Sequence, residues 1–167
     1  MITKNIESNK IKISTRIILI LIAVILFGFD QLTKWLAVTY ITPNSSIQFL
    51  PHWNWVLLFN TGAAFSLLHR PDSWYKYGFL LFTAIVAIGL IYYLISKNYH
   101  TLIGVGYAFI LGGALGNLTD RICRGQVVDF IDWYLGNYHW PSFNLADSSI
   151  LLGVIIIFTT TSFIKKT

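Results

Sequence analysis

The sequence predicts an all-α membrane protein of four transmembrane helices, and three observations predict it. The chain is 55% hydrophobic and only 11% charged, with a mean hydropathy of +0.63, which is not the balance of a soluble domain of 167 residues. Four stretches, near 16–40, 75–96, 101–119 and 143–164, reach or approach the roughly 20 apolar residues that cross about 30 Å of hydrocarbon. The basic residues lie at the flanks of these stretches and form no single patch, so the net charge of +5 reads as membrane topology and not as nucleic-acid binding.

The first span opens with the apolar run Ile17 to Phe29, preceded by Lys4, Lys10, Lys12 and Arg16. That opening resembles a secretory signal peptide, but the continuation "FDQLTKWLAVTY" lacks a small-residue cleavage site and is read as a retained helix. After it, "SIQFLPHWNWVLLFNTGAAFS" mixes aromatic and branched residues with Pro51, Asn60 and Gly62, a pattern of short strands beside the membrane. The second span contains no acidic residue. In the third, Gly104, Ala108, Gly112, Gly116 and Asp120 recur every four residues, a small-residue ridge that winds around the helix and accepts close neighbours. The fourth carries Asp147 near its start. No repeat, linker or low-complexity tract divides residues 1–167, so one domain is expected.

Four spans return both termini to one side. Lys4, Lys10, Lys12, Arg16, Lys97, Lys165 and Lys166 gather there, against Arg70, Lys76, Arg121 and Arg124 opposite, which makes the terminal side cytoplasmic. Asp30, Asp72, Asp120, Asp129, Asp132 and Asp147 then fall at or beyond the outer half of the membrane. Trp35, Trp53, Trp55, Trp74, Trp133 and Trp140 fit an aromatic belt at that interface.

The chemistry is therefore sought at one face. Asp30 and Lys34 are four apart on one helix face, suited to an ion pair that braces a site. Asn117, Asp120 and Arg121 need internal partners if they lie in lipid. Asp147, about five residues into a helix that begins near Pro141 or Ser142, would lie about 7 Å deep, facing protein or water; the alternative is a capping aspartate. Asp129 sits among Val127, Val128, Phe130 and Ile131, an apolar setting that raises a carboxyl pKa. If folding brings Asp129 beside Asp147, the two share one proton, as in an aspartyl protease, where one carboxylate takes a proton from water and its protonated partner donates to the scissile carbonyl.

Competing nucleophiles are weaker. Cys123 is the sole cysteine, matching no zinc or redox spacing; it could be drawn with His139, and Ser66, Ser148 or Ser149 as a serine nucleophile, but no G-x-S-x-G elbow exists. His52, His69, His100 and His139 lie in or near expected loops as solvated or interfacial groups. A small proton-coupled transporter or channel is the rival reading, and it expects ionisable groups spread through the bilayer. A scaffold assembled on the glycine ridge leaves Asp129 and Asp147 unexplained.

Five segments in order, "DQLTK" at 30–34, "NTGAAFS" at 60–66, "GGALGNLTDR" at 112–121, "VVDFID" at 127–132 and "FNLADS" at 143–148, make the chain resemble the lipoprotein signal peptidases, or signal peptidase II. The resemblance implies a bacterial inner-membrane aspartyl endopeptidase that removes the signal peptide from diacylglyceryl-modified prolipoproteins, on the N-terminal side of the lipidated cysteine, at the outer face. It implies Asp129 and Asp147 as the catalytic pair, and Asp30, Lys34, Asn60, Asn117, Asp120, Arg121 and Asn144 as residues that support the site or position substrate. It implies four spans with an extracytoplasmic β-cradle near 41–65 and a short interfacial helix near 66–74. Phe65, Leu67 and Trp133 are candidate guides for lipid and signal helix. No cofactor, metal, nucleic acid or obligate protein partner is expected; the partners are the prolipoprotein substrates and membrane lipids.

Overall fold

Four helices, α1 (Ile13–Tyr40), α2 (Tyr75–Ser96), α3 (Thr101–Arg124) and α4 (Leu145–Ile164), are each long and apolar enough to cross a membrane. They belong to a computed structural model that describes residues 11–61 and 75–164, with side chains in α2 from Tyr77 onward. The expected interfacial segment 66–74, with Phe65, Ser66, Leu67, His69, Arg70, Asp72 and Trp74, lies outside the described residues, as do Lys4, Lys10, Lys165, Lys166 and the side chain of Lys76.

The helices bear their largest apolar side chains outward. Leu21, Ile25, Phe82, Ile88, Leu151 and Phe158 are all exposed, an arrangement that lipid solvates and water would not. α3 is the central helix: half of its apolar window is buried, against 11–17% in the other three. Its glycines make this possible. A Cβ at Gly112 would stand 2.8 Å from the Ala23 carbonyl oxygen of α1, and one at Gly106 2.8 Å from the Gly153 carbonyl oxygen of α4. At Gly113 it would collide with the Ala146 carbonyl oxygen, and at Gly116 with the Asp30 carboxylate. The expected four-residue ridge thus faces α1 and winds toward α4 at Gly116, while a second set, Gly106 and Gly113, receives α4.

α3 runs five residues beyond its expected end at 119, so Asp120 and Arg121 are helical. Arg121 and Arg124 occupy the last turn, where cations complement the helix dipole, and Gly125 ends it in the left-handed region at φ 71°, donating its N–H to the Arg121 carbonyl at 3.1 Å.

The cradle is a four-stranded antiparallel sheet in the order β1 (Ser46–Leu50), β2 (Trp53–Asn60), β3 (Val127–Leu135) and β4 (Tyr138–His139). Sequence reasoning confined it to 41–65; the other half comes from 127–139. The physical reason is burial: Val127, Val128, Asp129 and Phe130 are consecutive buried residues, so β3 lacks the polar–apolar alternation that marks a half-exposed strand. A register irregularity between Trp55 and Leu58 sets Leu58 opposite Asp129 and Asn60 opposite Val127. Trp53 and Trp55 pack with Phe49 in one aromatic cluster, with centroids 5.1–5.5 Å apart, while Trp35, Trp133 and Trp140 are exposed.

The segment entering α4 is tied to this sheet. Phe143 donates its N–H to the Ile131 carbonyl at 3.1 Å, and its own carbonyl accepts from Phe130 and Ile131 at 3.1 and 2.9 Å. That pairing keeps residues up to Phe143 extended, so α4 begins at Leu145 and not near 141–143. Asp147 is accordingly in the first turn and not five residues deep.

Candidate active site

Local chain geometry places Asp147 first. Asn144 accepts the Asp147 N–H on Oδ1 at 3.0 Å, and Asp147 Oδ2 accepts the Asn144 N–H at 3.2 Å, a reciprocal capping box that opens α4. The capping alternative is thus also true of Asp147. Its other oxygen, Oδ1, accepts Asn117 Nδ2 from α3 at 2.8 Å.

Asn144 also reaches β3. Its fully buried Nδ2 donates to Asp129 Oδ1 at 2.8 Å and approaches the Val128 carbonyl and Asn117 Oδ1, each at 3.2 Å. One asparagine therefore bridges Asp129 and Asp147, its oxygen on the α4 backbone and its amide on the β3 carboxylate. Asp129 Oδ2 accepts Asn60 Nδ2 from the end of β2 at 3.0 Å.

Asp129 is 3% exposed. Burial pushes its carboxyl up to about 7, and the nearby Asp147 charge adds to this, against hydrogen bonds from Asn60 and Asn144 and the positive charge of Lys34. Asp147 is only partly buried, at the mouth of the site.

Beneath the pair lies a fully buried charge network. Lys34 Nζ stands 2.9 Å from each of Asp30 Oδ2, Asp120 Oδ2 and Asn117 Oδ1, so its three donors meet three acceptors. Asp30 Oδ1 accepts the Ala146 N–H of α4 at 2.9 Å, and its Oδ2 accepts Gln31 Nε2 at 3.1 Å. Asp120 pairs with Arg124 and accepts the Val128 N–H of β3 at 3.2 Å. Lys34 also orients Asn117: with Nζ on Oδ1, the amide presents Nδ2 to Asp147.

The nine residues singled out in the sequence, Asp30, Lys34, Asn60, Asn117, Asp120, Arg121, Asp129, Asn144 and Asp147, fall in one connected region. Arg121 is its looser member: its side chain lies 3.4 Å from the Asn117 carbonyl, and the carboxylates that its charge meets are Asp147, Asp129 and Asp120. Other candidates stand apart. Cys123 is exposed, Ser149 donates to the Phe109 carbonyl at 2.8 Å, and Ser148 donates to the Asn144 carbonyl at 3.1 Å. His100 is exposed in the turn before α3, as expected, and its ring also caps that helix by accepting the Leu102 N–H at 3.3 Å.

Sequence reasoning missed Gln31 and the walls of the site. A slot of about 410 Å³ adjoins Asp147, lined by Trp133, Trp140, Phe143, Ser148, Leu151 and Leu152. Trp133 and Phe143 meet edge to face at 4.9 Å. Trp133 alone was singled out as a lipid guide and Trp140 only as a member of the aromatic belt, because Trp140 and Phe143 belong to an extended segment whose contact with β3 is made after the chain turns back.

A sequence profile described as Signal peptidase (SPase) II matches residues 22–163. The chain is 45% identical over 148 residues to the lipoprotein signal peptidase of Francisella tularensis subsp. novicida (strain U112), covering 87% of this chain and 92% of that protein. Against the lipoprotein signal peptidase of Acinetobacter baumannii (strain ATCC 17978) it is 43% identical over 146 residues, covering 87% and 83%. A bacterial membrane enzyme solved by the in meso method at 1.9 Å resolution superposes with a TM-score of 0.77 at 38% identity, covering 92% of this chain and 96% of that one. Four spans, a small antiparallel sheet and a profile match over most of the sequence agree: the chain belongs to the signal peptidase II family of membrane peptidases.

Proposed function

We propose that this chain, acting as a single unit in the bacterial inner membrane, cleaves signal peptides from diacylglyceryl-modified prolipoproteins by an aspartyl mechanism at Asp129 and Asp147. Membership of the signal peptidase II family supports signal-peptide removal from prolipoproteins. The observation that carries the mechanism is the Asn144 bridge, which holds a buried carboxyl and a partly exposed one in a single hydrogen-bonded unit.

The division of labour follows from environment. Asp129, raised to about 7, holds the shared proton. Asp147, at the mouth and at the N-terminus of α4, takes a proton from water as that water's oxygen attacks the scissile carbonyl carbon. Asp129 donates its proton to the carbonyl oxygen, giving a neutral tetrahedral diol. Collapse breaks the C–N bond, a diol proton returns to Asp129, and Asp147 passes its proton to the departing amine. Asn60, Asn117 and Asn144 hold the two carboxyls in place, while Lys34, Asp30 and Asp120 hold Asn117, α4 and β3.

The slot beside Asp147 suits the apolar part of the substrate, which cleavage on the N-terminal side of a lipidated cysteine would present at the membrane boundary. The charge distribution supports an outer-face site with cytoplasmic termini. At one end of the bundle Arg16 donates to the Leu94 and Lys97 carbonyls at 2.6 and 2.9 Å, and Lys97 lies over the Tyr92 ring; the aspartates occupy the other end. The test is release of signal peptide from a diacylglyceryl-modified precursor by purified wild type, Asp129→Asn and Asp147→Asn. Each folded variant should lose about 10²- to 10⁴-fold in kcat. A folded variant that keeps most of its activity removes that aspartate from the pair.

A further inference from the structure

One polar cluster of the sheet takes no part in the chemistry above. Asp132 is buried, accepts Asn54 Nδ2 at 2.8 Å, and has both carboxylate oxygens 2.9 Å from His139 Nδ1. Three strands meet there, since Asn54 comes from β2, Asp132 from β3 and His139 from β4. A buried carboxylate is costly unless hydrogen-bonded, so the cluster fastens the strands together at this end of the sheet.

The strand it secures has little else. β4 is two residues long, pairing His139 with Tyr134 and Tyr138 with Leu135. The His139 and Tyr134 rings stack at 5.3 Å, and Trp140 donates its N–H to the Trp133 carbonyl at 2.7 Å. Successive strand residues point to opposite faces, so Asp132 is directed to the latch while its neighbour Trp133 turns to the other side. Trp140 follows His139 directly.

Those two tryptophans are shared walls. They line the slot beside Asp147, and they also line a groove of about 730 Å³ with Pro51, His52, Tyr134 and His139. We propose that Asp132 and His139 are positioning residues for substrate binding, which fix Trp133 and Trp140 as the boundary of the slot next to Asp147. This rests on the peptidase reading, but concerns binding and not bond cleavage. His139 touches no reacting group and acts through Trp140.

Steady-state cleavage of a diacylglyceryl-modified precursor by the full-length enzyme tests it. His139→Ala should raise KM about 5- to 10-fold with kcat within about twofold, the size of one ordinary hydrogen bond lost at an exposed side chain. His139→Asn, whose amide N–H stands where Nδ1 does, should recover a KM within about twofold of wild type. Trp140→Ala should raise KM by a similar factor, and the double variant His139→Ala, Trp140→Ala should be no worse than Trp140→Ala alone. A fall in kcat at unchanged KM, or factors that multiply in the double variant, overturns the assignment. If His139→Ala does not fold, His139→Asn decides alone, and a tenfold rise in its KM overturns the proposal. A wild type that fails to cleave removes the peptidase reading itself, an outcome distinct from these.

Discussion

Replacing Lys34 by Met keeps much of the side-chain volume and deletes one charge from the centre of the network. Three acceptors, Asp30 Oδ2, Asp120 Oδ2 and Asn117 Oδ1, then lose a donor at 2.9 Å. The two carboxylates do not suffer equally. Asp120 retains Arg124 and the Val128 N–H, whereas Asp30 retains only neutral donors, Gln31 Nε2 and the Ala146 N–H. The variant is thus left with one unpaired buried negative charge, which typically costs about 3–5 kcal/mol. At about 2–4 °C per kcal/mol for a chain of this size, melting should fall by roughly 10 °C. The compensated variant Lys34→Met, Asp30→Asn removes that charge and should recover at least about half of the loss. Activity should fall further than stability, since Asn117 no longer has Lys34 to orient its amide toward Asp147. The assay is thermal unfolding of the purified proteins in detergent, followed by tryptophan fluorescence, with precursor cleavage measured beside it. A Lys34→Met protein that melts within about 2 °C of wild type, or a double variant no more stable than the single one, would refute the argument.

Two further outcomes follow from particular positions. In the proposed mechanism Asp129 acts as the protonated partner, and its carboxyl is raised to about 7, so kcat should fall about tenfold per pH unit above that value, a slope read from a pH–rate profile between 6 and 9. The same raised pKa bears on stability with a definite sign: the folded state holds a proton that the unfolded chain loses near 3.8, so stability declines as pH rises between these values and is level above 7. Asp129→Asn should therefore melt higher than wild type at pH 8 while being inactive. Gly113→Ala sets a Cβ against the Ala146 carbonyl, one residue from Asp147, so it should lower melting by several degrees and kcat by at least about tenfold; an unchanged kcat would mean that α4 yields without moving the site.

Much of this architecture was legible because a bilayer imposes strong composition rules. The four spans were placed to within a few residues at most ends, and the glycine ridge pointed correctly to α3 as the close-packed helix. Errors arose where one element's limits depend on another. α3 was ended at 119 because charged residues read as the membrane boundary, yet Asp120 is neutralised by Lys34 and Arg124 inside the fold. The helix start near Pro141 or Ser142 is too early because Phe143 is held extended by Ile131, a contact that the local sequence does not show. β3 went unassigned because its first four residues, Val127 to Phe130, are all buried and show no alternation. The Asp132, Asn54 and His139 cluster was invisible for a similar reason: Asn54 lies far from the other two in sequence, and all three meet only through strand register.

The capping box at α4 has one more implication. Asp147 Oδ2 holds the first turn of the helix together, and Asn144, the other half of that box, holds Asp129. Fraying of α4 and separation of the two aspartates are consequently the same event. Without α4 seated on the sheet the chain would carry every residue of the proposed site and lack the bonds that hold Asp129 beside Asp147. Holding the two carboxyls together is thus a property of a single helix end.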